Sequence, residues 1–106
     1  DNSYVGVTVN YNNECYRLDE LRDSVDAKHK VASFEPMYNA IINPDLTGIE
    51  WCWFGAQTQP ELQPNFKDMM YLVNHAANSG AYVFMKNNLW TPRDFIRLEQ
   101  FPEAMI

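Results

Sequence analysis

The chain has 106 residues, of which 46% are hydrophobic and 21% charged, and it carries 3 Trp, 6 Tyr and 6 Phe. That size and apolar content fit one globular domain over residues 1–106 and exclude intrinsic disorder as its main state. Eight Lys and Arg against 14 Asp and Glu give a net charge of −6. This balance excludes a nucleic-acid groove binder and an anionic-membrane binder, both of which need a basic face.

Val5, Val7, Val9 and Tyr11 alternate with Tyr4, Gly6, Thr8 and Asn10, which predicts a half-buried strand. Asn12-Asn13 predicts a tight turn, with 14–18 returning as the second strand of an N-terminal hairpin. Leu18, Leu21 and Val25 then share a helical face after Asp19 as a cap, and this helix is expected to end near Lys28. The lysines of 28–30 sit at the negative end of its dipole. A second helix is expected over 35–42, with Pro36 in its first turn and Met37, Ala40 and Ile41 on one face. Asn43-Pro44-Asp45 stops it.

Residues 49–55 form the most apolar strand, with Ile49, Trp51 and Trp53 on one face and Glu50, Cys52 and Phe54 on the other. Residues 56–65, with two prolines and no apolar period, predict a surface loop long enough to carry function. Asn65 caps a helix whose stripe is Phe66, Met69, Met70, Val73, Ala76 and Ala77, and Gly80 ends it. A strand follows over 81–86. Thr91, Pro92 and Asp94 have the spacing of a capping box, with Trp90 and Phe95 as a staple, and predict a last helix ending at Pro102. The expected order is β-β-α-α-β-α-β-α. That order describes an α+β domain with about four strands in a small, mostly antiparallel sheet and helices on one face.

The chemistry-bearing residues are few. No zinc-protease, nucleophile-elbow, paired-cysteine or phosphate-loop motif occurs, so no cofactor and no metal site is expected. His29 reads as a solvated residue at a helix end, and His75 lies opposite the apolar stripe of its helix. Glu50 is the acid inside an apolar strand, poised for proton transfer if buried and solvated if on an open face. Cys15 and Cys52 read as two free thiols in a reducing cytoplasm. A Cys15–Cys52 disulfide in a secreted or periplasmic chain is the alternative, closing a loop worth roughly 3–4 kcal/mol. The chain starts at Asp1 with no signal-peptide pattern after it, which fits a trimmed or a processed start.

One stretch departs from the average. Between Lys30 and Lys67 there is no Lys or Arg, while Glu35, Asp45, Glu50 and Glu61 lie there beside Trp51, Trp53 and Phe54. Acids that steer and aromatics that anchor suit a basic protein partner. The expected function is a small acidic protein-binding module, an inhibitor, immunity or regulatory protein, and the reading leans away from an enzyme. Its candidate contacts are Glu35, Asp45, Glu50, Phe54, Glu61 and Tyr71. The alternative is a small-ligand or enzymatic domain with a pocket between sheet and helices, lined by Glu50, Trp51, Cys52, Trp53, His75 and Tyr82. Self-association through an edge strand of the hairpin is a third expectation.

Overall fold

The computed structural model describes residues 3–103, so the start at Asp1 lies outside the described residues. Two helices and six strands follow one another as β1 (Tyr4–Thr8), α1 (Tyr16–Ser24), β2 (His29–Phe34), β3 (Trp51–Phe54), β4 (Gln57–Thr58), β5 (Glu61–Leu62), α2 (Phe66–Asn78) and β6 (Tyr82–Met85). Strands β1, β2, β3 and β6 lie side by side in that order, and every neighbouring pair is parallel. A parallel partner requires the chain to travel back along the sheet before pairing again. α1 makes that return between β1 and β2, residues 35–50 between β2 and β3, and α2 between β3 and β6.

Both helices cover the same face. Leu18 and Leu21 of α1, and Met69, Leu72, Val73 and Ala76 of α2, join Ala32, Phe34, Cys52, Phe54, Val83 and Met85 of the strands in one buried cluster. Alternation along each strand sends the neighbours of these residues to the opposite face. The pairing therefore places Tyr4 beside His29, Val31 beside Trp51, and Trp53 beside Phe84 on that second face.

The domain is α+β, but the expected mostly antiparallel sheet is overturned by this parallel topology, and the β-β-α-α-β-α-β-α order falls with it. The N-terminal hairpin does not form, because residues 16–24 are helical. Glu14 turns back to accept from the Asn10 and Tyr11 amides at 2.8 and 3.2 Å, and the chain rises into α1 instead of pairing with β1. The helix expected to end near Lys28 ends at Ser24, and His29 and Lys30 belong to β2, a strand hidden behind its polar residues.

The expected helix over 35–42 is also absent. Its backbone is held from outside: the Tyr38 amide donates to Asn10 O at 2.7 Å, and the Ile42 amide donates to Asn12 Oδ1 at 2.9 Å. The last expected helix is replaced by a turn at Pro92 and a segment along β6. The Met85 amide donates to Leu98 O at 2.7 Å, and the Gln100 amide donates to Val83 O at 2.9 Å. Sheet-edge bonding outcompetes the capping signal there. Asp94, expected inside the first helical turn, has a φ of +66°.

Elsewhere the pattern and the structure agree. Asn65 Oδ1 accepts from the Asp68 amide at 3.0 Å and caps α2. Gly80, with a φ of +94°, closes it by the left-handed turn, in which the Ala81 amide reaches Ala76 O at 3.2 Å. The loop at 56–65 holds the short antiparallel pair β4–β5. Among the described residues, no helix is long and apolar enough to cross a membrane.

Phe54 is fully buried and its ring stacks on Phe34 with centroids 5.2 Å apart. Phe54→Ala is expected to cost about 3–5 kcal/mol in a urea melt. A loss below about 1 kcal/mol would place Phe54 outside the core.

Candidate functional site

Among the described residues, no helix lies over the second face of the sheet. A cavity of about 430 Å³ lies there, lined by Tyr4, Gly6, Val7, Thr8, Val31, Ser33, Glu35, Trp51 and Trp53. A second hollow of about 330 Å³ adjoins it across Trp51 and Trp53, with Phe84, Lys86 and Phe101 as its other walls. The floor is aromatic because β3 places Trp51 and Trp53 on one face, with ring centroids 5.0 Å apart and nearly perpendicular planes. Phe101 closes on Trp51 at 5.6 Å and on Phe84 at 5.3 Å.

The polar groups gather where the strands end. In parallel sheets this carboxyl end is where loops converge and ligands bind. Glu35 follows β2 and Lys86 follows β6, and their side chains meet above β3 with Lys86 Nζ 2.8 Å from Glu35 Oε1. Gly55 makes this possible. A Cβ there would lie 3.3 Å from Glu35 Cγ, Glu35 Oε1 and Lys86 Cδ. Lys86 Nζ also stands 5.5 Å from the centre of the Trp53 ring, within cation–π range. The ion pair is partly exposed, at 22% for Glu35 and 41% for Lys86, so its own contribution to stability is about 1 kcal/mol or less.

Four cavity residues carry buried polar atoms with no hydrogen-bond partner, Tyr4 OH, Ser33 Oγ, Trp53 Nε1 and Glu35 Oε1, of which Glu35 Oε1 has the Lys86 ion pair. Such an atom costs on the order of 1–3 kcal/mol when left unsatisfied. The contrast with Trp51 is direct, since its Nε1 donates to Gln100 O at 3.0 Å. Asn88 accepts from the Ala56 amide at 3.1 Å and donates back to Ala56 O at 2.8 Å, and Gln63 donates to Asn88 O at 2.9 Å.

The opposite end of the strands carries His29, which is buried, with Nδ1 2.7 Å from Glu50 Oε2. Its ring stacks on Tyr4 at 4.4 Å. Burial, and then the Glu50 charge, hold the Tyr4 phenol above its ordinary range.

The residues singled out from sequence go to several places. Glu35 lines the cavity, whereas Phe54 is in the core. Asp45 is exposed 3.6 Å from Arg22, and its acid is lowered first by the hydrogen bonds from Thr47 and then by the Arg22 charge. Glu61 lies in β5, where Oε2 accepts from Gln63. Tyr71, on α2, bonds to Asn43. Of the pocket expected between sheet and helices, Cys52 is fully buried in the helix-facing cluster, and His75 Nε2 is 2.7 Å from Pro44 O. Trp51 and Trp53 face the other side, Tyr82 pairs with Trp51 in the sheet, and Glu50 reaches His29. Among the described residues, no three His, Cys, Asp or Glu side chains are placed to hold a metal ion.

Residues 1–101 match the family model described as "Protein of unknown function (DUF5131)". The chain belongs to the DUF5131 family. No curated protein and no solved structure matches it.

Sequence reasoning passed over Tyr4, Ser33, Gly55, Phe84, Lys86 and Phe101 in this DUF5131 chain. One signal was available: a glycine directly ending an apolar strand marks a close approach by another group. Ser33 and Lys86 carry no such mark, because their meaning comes from the parallel register.

Cys15 and Cys52 are both free. Burial pushes the Cys52 thiol up to about 12 from an ordinary 9.0. Above pH 9 the unfolded chain therefore loses this proton first, and stability falls as pH rises toward 12. The slope owed to Cys52 is about 1.4 kcal/mol per pH unit. Urea melts between pH 9 and 10.5 are expected to be steeper in pH for the native chain than for Cys52→Ala by about that amount. Equal slopes would refute the buried thiol.

Proposed function

We propose that this domain binds a small ligand on the uncovered face of its parallel sheet, at the carboxyl ends of β2, β3 and β6. The observation that carries this reading is the groove itself, floored by Trp51 and Trp53 and reaching Ser33 and Glu35 at the carboxyl end of the sheet. The aromatic floor supplies apolar contact, and the Glu35–Lys86 pair supplies orientation.

The protein-binding reading has less support. It rests on a stretch free of Lys and Arg, but two of its four acids pair with a cation from another part of the chain, Glu35 with Lys86 and Asp45 with Arg22, and Glu50 is hydrogen-bonded to His29. Steering a basic partner needs charge that is not already compensated. The ligand reading assigns no catalytic step, and a thiol as buried as Cys52 is a poor nucleophile.

A fragment screen followed by nitrogen–proton correlation spectra tests the site. The indole N–H signal of Trp53 and the amides of Ser33, Glu35 and Lys86 are expected to move together on binding. Gly55→Ala, which crowds the ion pair, is expected to weaken such hits about ten-fold while the spectrum stays folded. Hits that shift only residues of the α1 or α2 surfaces would refute the location.

A further inference from the structure

We infer that the ligand of this site is an uncharged planar aromatic molecule carrying a carbonyl oxygen, with its rings in the aromatic hollow and that oxygen on Lys86. This rests on the location proposed above and adds the chemistry of the occupant. The groups that open onto the groove select it.

The hollow of about 330 Å³ is walled by Trp51, Trp53, Phe84, Phe101 and Lys86. Its rings meet at steep angles. Trp53 stands at 88° to Trp51, and Phe101 is tilted 55° to Trp51 and 68° to Phe84. Such a corner offers both ring faces and ring edges, so a flat aromatic ring can stack on one wall while meeting the edge of another. Phe101 is 47% exposed at the mouth, which leaves the corner open on that side. An aliphatic chain would gain the burial without the ring–ring contacts.

The hydrogen-bonding capacity of these walls is nearly spent. Trp51 Nε1 already donates to Gln100 O at 3.0 Å, and Trp53 Nε1 is buried out of reach of the groove. Lys86 is the exception. An ammonium has three protons to donate and cannot accept. One of them goes to Glu35 Oε1 at 2.8 Å, and the Lys86 side chain is still 41% exposed. These walls therefore offer the ligand a donor and no acceptor.

Charge separates a carbonyl from a carboxylate. A carboxylate on Lys86 would share that ammonium with Glu35, and two like charges so close repel. No surplus of positive charge offsets this. The segment along β6 adds one group of each sign. The bridge from Phe84 places Glu99 on the groove face, while Arg97 is held by Lys86 O and Leu89 O at 2.7 and 2.6 Å. A neutral carbonyl accepts from Lys86 and leaves the ion pair closed.

The test uses the intact chain and follows the Trp53 indole and Lys86 amide signals in titrations with three bicyclic probes. Coumarin has the carbonyl, indole has a donor and no acceptor, and coumarin-3-carboxylate adds a negative charge. Coumarin is expected to bind about ten-fold more tightly than either of the others. Lys86→Met keeps the apolar stem and is expected to remove the preference for coumarin over indole. Glu35→Gln keeps an acceptor for Lys86 and is expected to raise the affinity for coumarin-3-carboxylate about ten-fold. Circular dichroism confirms the fold of each variant. If indole matches coumarin on the native chain, the carbonyl is refuted and the location stands. If coumarin-3-carboxylate binds the native chain tightest, neutrality is refuted. If Lys86→Met leaves the preference intact, Lys86 is not the donor and the inference falls. If no probe moves Trp53, the class and the location fall together.

Discussion

Strands that all run in one direction cannot be joined by tight turns. Each connection must carry the chain from the carboxyl end of one strand to the amino end of the next. In this domain that constraint is met twice by a helix, and both helices pass on the same side of the sheet. Everything else follows from this one-sidedness. The helix-facing side holds the aliphatic core and the buried Cys52, whereas no helix among the described residues covers the other side. Trp51 and Trp53 are then left to shield the backbone by packing on each other and on Phe101. The segments that leave β2, β3 and β6 all start at the carboxyl ends of the strands, bringing Glu35, Gly55 and Lys86 to one rim.

Much of the local structure was legible in the sequence, and the global arrangement was not. The alternation of Trp51, Cys52, Trp53 and Phe54 correctly separates two faces. It says nothing about which face the helices cover. By size the tryptophan side has the look of a packed layer, since large aromatics dominate most cores. The covered face instead belongs to Cys52 and Phe54. α2 was readable because its cap, stripe and terminal glycine all agree. β2 was not, because His29, Lys30 and Ser33 break the apolar signal, and lysines near a helix end offered a competing explanation. Missing β2 changed the topology, since without it the first two elements look like a hairpin.

The two failed helix assignments share a physical cause. Residues 35–42 and 91–102 carry good local helix signals, including prolines in first-turn positions. In both, the backbone finds hydrogen-bond partners elsewhere: the Asn10 and Asn12 positions for one, the outer edge of β6 for the other. Local preference of a few tenths of a kcal/mol per residue is easily outweighed by such long-range bonding. The site was partly visible for the same reason. Glu35 stands out for its place in a stretch without Lys or Arg, but its meaning depends on Lys86, 51 positions later, held 2.8 Å away by the parallel register.

The alternation within β3 has a consequence for how this domain can change. Cys52 and Phe54 contribute to the fold, and Trp51, Trp53 and Gly55 shape the groove, yet the two sets are interleaved along one short strand. Substitutions at every second position can therefore reshape the groove while leaving the core untouched, or repack the core without touching the groove. A deletion or insertion of one residue has no such freedom. It would turn both tryptophans toward the helices and carry Phe54 out into the groove, exchanging the roles of the two faces in a single step. Diversity at this strand is open to point substitution and closed to changes in length.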